Sequence, residues 1–92
     1  MGSLDRIKGM TVQIADVDAD LDQAVAELDM LRHLEDDAVR DALVSEGWDD
    51  KVDAKNARRD VDRCVKRIKG LEKDREKLVN RRSAMIDRLA AQ

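Results

Sequence analysis

Asp16, Asp18, Asp20 and Glu27 stand at the first, third, fifth and twelfth places of a spacing that, in EF-hand loops, gathers carboxylate oxygens around calcium. The sixth place holds Leu21 instead of the glycine that makes the loop's sharp turn, and Val17, Leu21 and Ala24 carry a helical apolar stripe straight through the segment. An unbroken helix turns successive carboxylates to different sides, so the expectation is an acidic helix face with no metal and no cofactor.

A second chemistry is suggested by Arg58, Arg59, Arg63, Lys66, Arg67 and Lys69, whose charges could hold nucleic-acid phosphates along a basic stretch spanning residues 55–82. No aromatic platform or reading helix accompanies them, and acids such as Glu27, Asp29, Glu35 and Asp36 are available to neutralise them. His33 is the single histidine and has no local Cys or His companions, so neither a zinc site nor a nucleophilic triad can be assembled. The single cysteine, Cys64, reads as a small buried hydrophobe. Gly9 and Gly70 lack the companions of a phosphate-binding loop. No catalytic residues are expected, and no small-molecule substrate.

The elements that position these groups follow from composition. The 92 residues include no Pro, four Gly and one aromatic, and 42% are charged. Such a chain makes long helices; a sheet would need Phe, Tyr, Val and Thr in alternating runs, yet Phe and Tyr are absent and Thr11 is the only threonine. The one convincing helix stop is Ser45-Glu46-Gly47-Trp48. It predicts a single all-α hairpin domain over residues 1–92, with helix 1 over about 3–46, a turn at 47–49 and helix 2 over about 50–90. Each helix would be about 60 Å long at 1.5 Å per residue. Gly47 suits a left-handed helix end, and Asp49 or Asp50 suits a cap on the helix that follows.

The overall charge of −3 conceals an uneven division. Residues 1–46 hold four bases against twelve acids, and residues 47–92 hold fourteen bases against nine acids. An acidic helix would therefore lie against a basic one.

Helix 1 shows heptads with Ile7, Ile14, Leu21 and Leu28 at a and Met10, Val17, Ala24 and Leu31 at d. Helix 2 repeats the pattern with Val61, Ile68 and Leu89 at a and Cys64, Leu71, Leu78 and Met85 at d. Folding at Gly47-Trp48 sets Leu31 against Cys64, Leu34 against Val61, Leu43 against Val52 and Ile7 against Leu89. Arg75 and Arg82 occupy a positions facing Leu21 and Ile14, where they would specify register or partner. Apolar residues also recur at e, at Leu4, Val25, Val39, Val65, Val79 and Ile86. An a/d/e stripe is wide enough for a third or fourth helix, so the antiparallel coiled coil is expected to dimerise into a four-helix bundle or to dock on another helical protein. Trp48 at the bend would either anchor a partner or plug the last apolar layer.

In size and hairpin architecture the chain resembles the small WXG-type secreted helical hairpins. It reads Gly47-Trp48-Asp49 where those carry Trp-x-Gly, so the resemblance implies architecture alone. No apolar run reaches membrane-spanning length and no signal-peptide pattern opens the chain. With one cysteine, the expected setting is the cytoplasm. The expected function is a noncatalytic protein–protein interaction or assembly module, with a nucleic-acid-associated factor using the basic second helix as the alternative.

Overall fold

The computed structural model describes residues 2–92. Two α-helices account for nearly all of them: α1 (Ser3–Val44) and α2 (Trp48–Ala90) run back against each other as an antiparallel hairpin, with no strand among the described residues. With no proline to break the backbone hydrogen-bond ladder, each helix is continuous. Acids in the first turns, Asp5 in α1 and Asp49 and Asp50 in α2, complement the positive helix ends, and Arg88 complements the negative end of α2.

The turn lies two residues earlier than the sequence pattern predicts. α1 stops at Val44 instead of Glu46, α2 starts at Trp48 instead of Asp50, and the link is residues 45–47. The Ser45 N–H still donates to the Asp41 carbonyl at 3.0 Å, and the Gly47 N–H donates to Ser45 Oγ at 3.0 Å, so two of the loop's three N–H groups find partners close by. Asp49 and Asp50 are therefore inside the first turn of α2 and do not cap it from outside. Gly47 is not left-handed, since no glycine among the described residues has positive φ. Its missing Cβ matters for space: a Cβ there would come 3.1 Å from Ser45 Oγ and 3.5 Å from Asp50 Oδ2.

The hairpin divides into two compact units, one made by residues up to Asp22 with Lys69–Gln92, the other by Gln23–Ile68. In the first, Ile14 is buried, while Ile7, Met10, Val17 and Leu21 from α1 and Leu71, Leu78, Val79 and Met85 from α2 are half-buried. In the second, Ala24, Val61 and Cys64 are buried, and Leu28, Leu31, Ala38 and Ala42 are half-buried, as are Val52, Ala54, Ala57 and Ile68. Ala24 has no side chain beyond Cβ, which lets Cys64 Sγ reach the Ala24 carbonyl at 3.4 Å. The a/d stripes of both helices thus supply what core there is.

Moving the turn toward the N-terminus also moves the register. Arg75 meets Asp18, three residues before its expected neighbour Leu21, and Arg82 meets Thr11, three before Ile14. A turn centred on Glu46, and not between Gly47 and Trp48, requires a displacement of about this size, because each facing pair lies equally far from the fold point. Cys64 contacts Ala24, although it still lines one groove with Leu31, its expected neighbour. The shift leaves Leu34, Leu43 and Leu89, all assigned to the seam, exposed.

The burial pattern predicts a steep contrast between two neighbouring residues. Ile14 is 5% exposed, so Ile14→Ala is expected to lose about 2–5 kcal/mol through lost contacts and a cavity. Val12 is 61% exposed, so Val12→Ala is expected to stay within about 0.5 kcal/mol of the parent. Urea unfolding followed by helical circular dichroism measures both, and equal losses would contradict the assigned seam.

Candidate interaction surfaces

The apolar residues outside the seam separate into two sets. Leu4, Val25 and Ile86, from the e stripe, are exposed, while Val39, Val65 and Val79 are half-buried. The e positions therefore serve partly as the edge of the seam and partly as free surface. Trp48 is 75% exposed, so it does not plug the last apolar layer; it stands free at the start of α2 near Leu43 and Val44 in sequence, which are exposed as well. The e pattern missed Val12, Met30, Leu34, Leu43, Val44 and Leu89, which are also exposed. Met30 and Leu34, one helical turn apart, were detectable at the c and g positions of the heptad.

The two seam arginines behave differently from each other. Arg75 forks onto Asp18, its Nε donating to Oδ1 and its Nη2 to Oδ2 at 3.5 Å. That hydrogen bond, and then the charge of Asp18, hold the Arg75 guanidinium pKa above its ordinary value. Arg82 is half-buried and donates through Nη1 to Thr11 Oγ1 at 3.3 Å, while the Thr11 hydroxyl donates to the Ile7 carbonyl at 3.0 Å. Both heads thus reach polar groups on α1.

Of the basic segment, Arg67 pairs across the hairpin with Glu27 at 3.5 Å and Arg63 pairs along its own helix with Asp60 at 3.9 Å. Arg58, Arg59, Lys66 and Lys69 have no ion pair among the described residues. The expected neutralisation by Asp29, Glu35 and Asp36 does not form: Asp29 lies 3.8 Å from His33, and Glu35 and Asp36 pair with no base among the described residues. Asp16, Asp18 and Asp20 sit within unbroken α1, with Asp18 engaged by Arg75. No group of three metal-capable side chains comes together among the described residues. Cys64 is a free thiol in the buried seam.

Three shallow grooves run beside the seam. In the unit containing the chain ends, Gln13, Asp16, Val17, Asp74, Lys77, Leu78 and Arg81 line about 430 Å³, with two acids facing two bases. In the other unit, Glu27, Leu31, Asp60, Arg63, Cys64 and Arg67 line about 310 Å³, again with the charges balanced. Nearer the loop, Val39, Ala42, Leu43, Lys51, Ala54, Lys55 and Arg58 line about 450 Å³, with three bases and no acid. Heptad reasoning could not detect this imbalance, because it depends on which residues of α1 and α2 come together. No helix among the described residues is long and apolar enough to cross a membrane. No protein-family model, curated protein or solved structure shows significant similarity to this chain.

If Arg75 and Arg82 control how the hairpin associates, Arg75→Leu combined with Arg82→Leu will raise the thermal midpoint and change the mass seen by light scattering. An unchanged mass would assign them to the hairpin's own register.

Proposed function

We propose that this chain is a noncatalytic protein–protein interaction or assembly module, a coiled-coil hairpin that completes its apolar core with helices of a second copy or of another helical protein. The observation that carries this reading is the mismatch between core and surface. Among the described residues, Ile14, Ala24, Val61 and Cys64 are buried, whereas ten large apolar side chains, from Leu4 to Leu89, are exposed. Apolar side chains gathered in one place on the surface mark interfaces, and Leu43, Val44 and Trp48 bring three such residues within six positions at the loop. The accessible area is 7119 Å², against roughly 5,400 Å² for a compact monomer of this mass. The difference exceeds the roughly 800 Å² that each partner of a standard interface buries.

The noncatalytic part belongs to the same reading; the polar residues are all exposed or half-exposed among the described residues. The free Cys64 fits a reducing compartment, and a cytoplasmic setting belongs to the same reading.

The test is solution mass together with thermal unfolding between about 1 and 100 µM. A dimer whose melting temperature rises with concentration is the expected result, since binding to the folded form stabilises it. A poorly folded monomer would assign the missing half of the core to another protein. A well-folded monomer with a concentration-independent melt would defeat completion of the core by a second copy.

A second reading, a nucleic-acid-associated factor, is favoured by one observation: Arg58, Arg59, Lys66 and Lys69 have no ion pair among the described residues. It requires salt-sensitive DNA or RNA binding that disappears when Arg59, Arg63 and Arg67 are changed to Glu. Absence of binding at low salt would dismiss it.

A further inference from the structure

The groove near the loop differs from the other two in carrying uncompensated charge. Its floor is Val39, Ala42, Leu43 and Ala54; its rim is Lys51, Lys55 and Arg58, none of which has an ion-pair partner among the described residues. Its complement is a helix face with a small apolar anchor beside an acid. α1 carries this pattern twice, at Val12 with Asp16 and at Val25 with Asp29; only Val25, 55% exposed, shares the e position of the groove's Val39, and Asp29 is exposed and held by its 3.8 Å contact with His33.

We propose that the groove is a self-association site that takes α1 of a second copy, with Val25 as the anchor and Asp29 against the cationic rim. This rests on the interaction-module reading above and names the partner and the contact. Val25 and Val39 are both at e, two heptads apart, so anchor and groove share one face of α1 about 21 Å apart. A face holding both halves of a complementary contact closes on itself under two-fold symmetry, each copy giving its groove to the other's anchor. Antiparallel approach of the two α1 helices sets Val25 opposite the other copy's Val39. It also brings the two copies' Arg32 together on the axis, where Asp29 and Asp36 of each copy lie within about a turn and offset the like charges. The exposed pair Met30 and Leu34 does not compete for this role. Leu34 is five residues from Val39, about 140° around the helix, and its docking would join opposite faces into an open chain of molecules.

Sedimentation of the full chain at about 50 µM in low salt tests the contact by charge exchange. The parent chain is expected to be dimeric. Lys55→Glu with Arg58→Glu, and separately Asp29→Lys, should each weaken the dimer by about tenfold or more, since like charges then face each other. An equimolar mixture of the two variants should restore a dimer, because each groove then meets an anchor of opposite charge. Leu43→Gln provides a charge-independent check: Leu43 is 81% exposed in the hairpin, so the change should leave helicity intact while weakening association. A dimer indifferent to all of these changes would overturn the groove assignment and leave the interaction-module reading standing. A poorly folded parent monomer would overturn self-association in favour of another chain. A stable parent monomer that binds an acidic amphipathic peptide would overturn self-association and give the groove a different occupant, and one that binds no such peptide would overturn both readings.

Discussion

A helix with one neighbour has only a narrow strip of its circumference covered, and in this hairpin that strip removes Ile14, Ala24, Val61 and Cys64 from water. Everything beyond the strip is solvent-facing, whether polar or not. The a and d residues around these four are only half-buried, so the hydrophobic contribution each makes is a fraction of what a closed core would give. Small residues partly compensate by allowing close contact, as where Cys64 reaches the Ala24 backbone. The limited burial also explains why so many apolar side chains remain on the surface: among the described residues each helix has one neighbour to cover it.

Charge plays a different part from the apolar seam. The first half of the chain is strongly acidic and the second basic, yet few cross-hairpin pairs form, Glu27 with Arg67 and Asp18 with Arg75 among them. Pairs this exposed to solvent contribute little to stability, so the division of charge is better suited to choosing which helix lies against which. Most of the bases on α2 stay uncommitted. Three of them, Lys51, Lys55 and Arg58, line a groove with apolar residues next to the loop, with no acid among the lining residues.

The turn shows how a small local choice propagates. Ser45 uses its hydroxyl to satisfy the Gly47 N–H, and Gly47 leaves room for the Ser45 and Asp50 oxygens. That geometry places the fold point near Glu46, and the partners of Arg75 and Arg82 shift accordingly from Leu21 and Ile14 to Asp18 and Thr11. Leu34 and Leu43, which a later turn would have drawn toward the seam, face solvent instead.

The all-α class, the two-helix hairpin and the a/d stripe were legible in the sequence because they depend on composition and on a 3.6-residue period, both properties of local chain chemistry. The polarity of each helix and the approximate turn were legible for the same reason. Register was not, because it depends on where the loop's hydrogen bonds end α1 and start α2, a matter of one or two residues that helix-end signals do not resolve. The surface was legible only in part: Leu4, Val25 and Ile86 were found from their period, but the groove of Val39, Leu43, Lys51, Lys55 and Arg58 was not. Its residues come from two helices and meet only once the register is set, so no pattern along one helix could reveal a charge imbalance that exists between them.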